Sequence, residues 1–113
     1  MKRGEIWTVA AGADYARKPR PAVIVQDDRF VDTKSITICP FTTNATLAPL
    51  FRLSVVPDAA NGLRADCRLM VDKIMSVPKS KLRDKIGRLA DQDMVRLNRA
   101  VTVFLGIAGP AKR

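Results

Sequence analysis

The sequence predicts an α+β protein, mainly β: a small, twisted, mostly antiparallel sheet of five to seven short strands, barrel-like, with one C-terminal helix packed on it. Three observations carry this expectation. Short apolar–polar alternations recur up to Leu89, separated by Gly, Pro and Asn turn signals. From Met94 onward the apolar residues recur instead at spacings of three and four. The chain has 113 residues, the length of one domain, and only 5% of them are aromatic, so the core must come mainly from Val, Ile, Leu and Ala. A domain of that size buries about 65% of the surface its unfolded form exposes.

Taken in order, residues 4–10 alternate, with Ile6 and Thr8 on one face and Trp7 and Val9 on the other. Residues 11–19 contain Gly12, Asp14 and Pro19 and read as a mobile loop. Residues 20–27 form the second strand, whose unbroken Ala22, Val23, Ile24 and Val25 imply burial on both faces. After a polar, turn-like stretch at 27–34, residues 35–42 alternate again. Residues 43–50 read as a loop and 51–56 as another strand. Asn61-Gly62, within 57–64, is the clearest turn. Residues 67–77 read as one long strand, bent where Asp72 and Lys73 interrupt the apolar residues, and 78–82 as one helical turn. Residues 84–89 suit a final strand weakened by Gly87. Asp91 is the candidate N-cap of a helix of about four turns carrying Met94, Leu97, Val101, Phe104 and Leu105 on one stripe. Gly106 and Gly109-Pro110 would end it. The stripe leaves room for a subunit contact, most simply a two-fold dimer.

Charge narrows the partners. Twenty Lys and Arg against eleven Asp and Glu leave a net +9, which favours a polyanion such as nucleic acid, an anionic membrane or an acidic protein, unless it serves solubility alone. No stretch approaches the roughly 18 continuous apolar residues of a membrane span. The opening MKRGEIWTV lacks the long apolar core of a secretory signal, so a soluble cytoplasmic protein is expected. Cys39 and Cys67 stand far apart, without a CxxC partner and without any histidine in the chain. They are read as reduced, buried thiols, and no metal or cofactor is expected. Without histidine the protein lacks the side chain most used for proton transfer at neutral pH.

Several residues are candidates for chemistry. Arg20 lies between Pro19 and Pro21, which restrict the backbone on both sides, so its planar fork is pre-organised for two phosphate oxygens. The plainer alternative is a strand-edge cation that discourages aggregation. Thr42 and Thr43 end a strand, where hydroxyls can meet a phosphate or ribose, although Thr is also simply a strand former. Asp72, amid Leu69, Met70, Val71, Ile74 and Met75, either faces solvent or is partly buried beside Lys73 or Arg68, where it would serve as a proton acceptor. Residues 73–88 hold Lys73, Lys79, Lys81, Arg83, Lys85 and Arg88 against the single acid Asp84, either a phosphate-tracking surface or a solvated cationic face. Tyr15, Arg17 and Lys18 sit in the loop before Arg20, where Tyr15 and Arg17 offer planes for stacking on bases.

In that order the motifs "RGEIW", "KPRPAVIVQ", a strand ending in Thr, and "CRLMVDKIMSVPKSKLRDKIGRL" resemble the MazF/PemK family, the toxins of type II toxin–antitoxin modules. The resemblance spans residues 3–106, and its R-P-A-V-I-V and D-K-I-x-S-V-P-K-S-K-L segments are quite specific. It implies a single toxin domain over residues 1–113 with an SH3-like barrel fold shared by MazF, PemK and CcdB. It also implies a homodimer and a metal-independent endoribonuclease that cuts single-stranded mRNA at short motifs, leaving a 2′,3′-cyclic phosphate and a 5′-hydroxyl. An acidic antitoxin would block the RNA site. By the same resemblance Arg20, Thr42 and Asp72 are the expected catalytic residues, with Thr43 in place of Thr42 if the alignment slips by one. Tyr15, Arg17, Lys18, Thr43, Arg68, Lys73, Lys79 and Lys81 are the expected RNA-binding residues. Members with the acidic residue carry an Arg two positions earlier, where this chain has Met70, so Lys73 or Arg68 would have to supply that charge. Two rivals are a CcdB-like gyrase poison and a non-catalytic RNA-binding barrel. The former relies on a C-terminal Trp-Gly-Ile, whereas this chain has Leu105-Gly106-Ile107 and continues.

Overall fold

The computed structural model describes residues 1–10 and 18–107. Seven strands and a helix follow one another as β1 (Glu5–Val9), β2 (Arg20–Ile24), β3 (Ser35–Thr42), β4 (Arg52–Val55), β5 (Cys67–Met70), β6 (Met75–Pro78), β7 (Leu82–Arg88) and α1 (Asp91–Phe104). The strands form one twisted antiparallel sheet in the order β4-β5-β3-β2-β1-β7, with β6 also on β3. This is the mainly β architecture with a C-terminal helix that the alternation predicts.

The expected long strand over 67–77 is broken at the expected place. Phe41 pairs with Leu69 and Ile38 with Met75, so three steps along β3 face six along its neighbour. The surplus residues Val71–Lys73 loop out as a 3-10 turn. The expected helical turn before β7 is the 3-10 turn Lys79–Lys81. Burial of β2 on both faces is also observed. Val23 packs in the main cluster with Ile6, Leu69 and Leu97, while Ala22 and Ile24 pack on the opposite side with Ile36, Ile38 and Leu82.

The turn at Asn61-Gly62 does more than reverse the chain. The Asn61 side chain is buried, accepting from the amides of Asp58 and Leu63 and donating to the Val56 carbonyl. It thereby wraps its loop into a compact wall laid on β7, where the Arg88 amide donates to the Ala60 carbonyl at 2.9 Å. Gly87, which weakens β7 in isolation, is what permits this approach: a Cβ there would lie 2.4 Å from the Ala60 oxygen. Gly62 has φ +70° and a Cβ would meet the Ile86 oxygen at 2.1 Å.

One expectation at the helix fails. Asp91 is not the N-cap but the first helical residue, and the cap is Ala90, without a side-chain bond. The Leu89 amide is held by the Gly4 carbonyl at 2.9 Å, which leaves Ala90 as the extended residue before the turn begins. Asp91 still places negative charge near the unpaired amides of the first turn. Gly106, at φ +72°, ends the helix as expected: its amide donates to Val103 and that of Ile107 to Thr102. Gly109-Pro110 lies outside the described residues.

Glu5 anchors the start of the sheet. Burial pushes its carboxyl up, but the Lys2 amide, the Trp7 indole, the Lys85 ammonium and the N-terminal charge outweigh burial and bring it down to about 2. A carboxyl titrating lower in the folded than in the unfolded chain stabilises fully above the unfolded value of 4.5, and that stability is lost as pH falls towards 2. Urea midpoints of Glu5→Gln should therefore lie below wild type near neutrality and converge on it across that acid window. A separate expectation concerns Gly87→Ala, which should lose about 1–3 kcal/mol of stability in the same assay, because backbone rather than a flexible side chain occupies the space.

Candidate functional site

The site begins with register. Ala22 pairs with Pro40 and Val23 with Cys39, and two positions further along that register Arg20 and Thr42 stand side by side at one rim of the sheet. Thr42 pairs on its other side with Arg68. Directly opposed residues point to one face, so the hydroxyl lies between two guanidinium-bearing residues. The Thr42 hydroxyl accepts the Asn44 amide at 3.1 Å, which orients its oxygen and leaves its proton to donate outward. Thr43 is exposed. Arg20 is also exposed, and among the described residues nothing accepts from its guanidinium. Arg68 is half-buried, its Nη1 on the Asn44 carbonyl at 3.4 Å.

Arg20, Thr42 and Thr43 line a small recess with Pro21, Phe41 and Cys67. Beside it opens a cleft of about 490 Å³, reached by Lys18 and Pro19 just before β2, Thr8 of β1, Asp84 and Ile86 of β7, and Arg64 of the Asn61 loop. Pro21, Thr43 and Cys67 line both. The Cys67 thiol donates to the Ala65 carbonyl, and burial, then Asp66, pushes it up, so it is a neutral wall rather than a nucleophile. Cys39 is buried in the core, and burial first, then Asp72, pushes its thiol to about 12. Among the described residues no cluster of three His, Cys, Asp or Glu is placed to hold a metal.

Asp72 is not brought to Arg20 and Thr42. It lines a second cleft, of about 550 Å³, with Arg3, Ile74, Val101, Phe104 and Leu105. Its ion-pair partner is neither Lys73 nor Arg68 but Arg52, whose Nε and Nη2 meet the two carboxylate oxygens at 2.7 and 2.8 Å. The Arg52 fork holds the Asp72 carboxyl below its usual range, the opposite of what a proton acceptor needs. The pair bridges β4 to the Val71–Lys73 turn. Register explains why Arg52 was missed: it pairs with Met70, twenty positions from Asp72 in sequence.

The basic run over 73–88 is not one stripe. Lys73 is exposed on the turn beside Asp72, Lys79 donates to the Val31 carbonyl, and Lys85 pairs with Glu5 at 3.2 Å. Arg83 folds onto the Ser80 carbonyl and Arg88 faces Asp91. Lys81 is half-buried, its carbonyl accepting the Ala10 amide at the end of β1. Of the expected RNA-binding residues, Lys18 and Thr43 line the cleft, Arg68 adjoins Thr42, and Lys73, Lys79 and Lys81 do not line it. Tyr15 and Arg17 lie outside the described residues. Thr8, Arg64 and Asp84 were not singled out beforehand, since only the packing of the Asn61 loop on β7 gathers them.

A small cationic β-domain with a guanidinium and an oriented hydroxyl beside an open cleft defines a protein suited to hold a phosphate-bearing polymer. The chain belongs to the family of PemK-like, MazF-like toxins of type II toxin–antitoxin systems, whose model matches residues 2–105. It is 54% identical over 109 residues to a probable endoribonuclease MazF from Mycolicibacterium smegmatis, covering 96% of this chain and 100% of that one. It is 33% identical over 117 residues to endoribonuclease MazF9 from Mycobacterium tuberculosis, covering 95% and 98%. The fold matches that of a mycobacterial endoribonuclease solved with its cognate antitoxin, with TM-score 0.79 at 22% identity over 97% of this chain and 99% of that one.

If Asp72 serves the fold rather than the chemistry, Asp72→Asn leaves Arg52 half-satisfied. Denaturant unfolding should then show a loss of about 1–3 kcal/mol, while any activity per folded molecule stays within about twofold of wild type.

Proposed function

We propose that this chain is the toxin of a type II toxin–antitoxin module and acts as a metal-independent endoribonuclease on single-stranded RNA, mRNA above all, in the cytoplasm. The observation that carries the reading is the meeting of Arg20 and Thr42 in one recess beside a cleft bearing Lys18 and Arg64. The names of the two sequence relatives support the reaction class.

The substrate supplies its own nucleophile. The ribose 2′-oxygen attacks the adjacent phosphorus, the bond to the 5′-oxygen breaks, and a 2′,3′-cyclic phosphate and a 5′-hydroxyl result. The 2′ proton passes to water, and the leaving oxygen takes one from water. Proximity is built into RNA, so the protein must hold the backbone in line and steady the charge gathering on the phosphorane oxygens. Arg20 spans two of those oxygens with its fork, and Thr42 donates its free proton to a third or to the ribose. Arg stays protonated at neutral pH and is a poor proton donor, so electrostatic stabilisation dominates and turnover is slow. Lys18, Arg64 and Arg68 hold flanking phosphates, and Tyr15 and Arg17 stack on bases.

Two protein contacts complete the reading. Val103, Phe104, Leu105 and Ile107 expose apolar surface at the end of α1, which a second copy covers in a two-fold dimer. The net charge of +9 complements an acidic antitoxin segment. Among the described residues no helix is long and apolar enough to cross a membrane.

Arg20→Ala should lower cleavage of a long unstructured RNA in excess chelator by roughly 100- to 1,000-fold, with far-UV dichroism and elution volume unchanged. Arg20→Lys should recover little, because an ammonium cannot span two oxygens. Unchanged cleavage by Arg20→Ala would remove this residue from the site.

A further inference from the structure

We infer that Asp84 selects a guanine in the bound RNA, its carboxylate accepting from the N1–H and N2–H₂ groups of the base; this rests on the reading of the cleft as the RNA site. The first support is backbone geometry. Val9 pairs with Leu82 and Trp7 with Lys85, so two steps along β1 face three along β7, and Thr8 alone opposes both Arg83 and Asp84. A second irregularity follows between Trp7–Lys85 and Ile6–Gly87. Such bulges re-aim side chains, and here Asp84 and Ile86 both line the cleft with Thr8. The Thr8 hydroxyl pins the first bulge by accepting the Asp84 amide at 3.0 Å.

Charge supplies the second support. The remaining charged residues lining the cleft are Lys18 and Arg64, both suited to phosphate. Asp84 is exposed, and among the described residues its carboxylate has neither an ion pair nor a hydrogen bond. A carboxylate repels phosphate, and of the donors RNA offers a ribose hydroxyl presents one, whereas a base edge can present two side by side. An ionised carboxylate only accepts. Guanine alone presents two adjacent donors on its Watson–Crick edge, the edge through which unpaired bases are read. Adenine and cytosine set one amino group beside an acceptor nitrogen, and uracil flanks one donor with two carbonyls. Each of those turns a lone pair towards one of the carboxylate oxygens. Ile86 and Leu63 supply apolar surface for the base plane.

The test is cut-end mapping on a randomised single-stranded RNA library with wild type, Asp84→Ala and Asp84→Asn. Wild type should require guanine at one nucleotide near the cut, by roughly tenfold to a hundredfold over other bases. Asp84→Ala should become indifferent at that nucleotide alone, and Asp84→Asn should shift it towards adenine, with preferences elsewhere intact. A change confined to one nucleotide cannot arise from lost folding. An unaltered preference in Asp84→Ala, or no guanine-selective nucleotide in wild type, overturns the inference while leaving the nuclease reading standing. No cleavage by wild type overturns both.

Discussion

The register between β2 and β3 is the constraint on which the site depends. Ala22 and Ile24 face one apolar cluster and Val23 the other, so sliding β2 by one residue would exchange the faces and empty both. That two-sided burial fixes where β2 begins relative to where β3 ends. It is therefore the core that sets Arg20 beside Thr42, although neither residue belongs to it. An exposed guanidinium on a free loop would lose side-chain entropy on meeting a phosphate; one seated at the end of a locked strand loses less.

The carboxylates divide sharply by task. Glu5 and Asp72 each satisfy several donors and hold strands or turns in place. Their charges are committed to the fold, and lowered carboxyls of this kind make weak bases. The chain also has no histidine. Among the described residues, what remains at the cleft is fixed positive charge, an oriented hydroxyl and one carboxylate without a partner, a set suited to binding and stabilising anions rather than to shuttling protons.

Close approach of backbone to backbone builds the far wall. The Asn61 loop reaches β7 only because Gly62 and Gly87 present no Cβ to it, and this contact brings Arg64 to the cleft that Lys18 also lines. The wall is thus a tertiary product of two glycines twenty-five positions apart. The bulge at Thr8 works alongside it, at the point where Asp84 joins the lining of the same space.

Periodicity was enough to read most of the strands and the C-terminal helix, since alternation and the three-four spacing report which side of an element avoids water; at Asp72-Lys73 it gave a bend in one strand where the structure has two strands. The seat of Arg20 between two prolines and the hydroxyl at the end of β3 were legible for the same local reason. The partner of Asp72, the scatter of the 73–88 cations and the gathering of Thr8, Arg64 and Asp84 were not. Those depend on which distant residues face each other across strand pairs and loop contacts, and neither charge nor spacing along a chain encodes a neighbour reached only through the packing of the whole sheet.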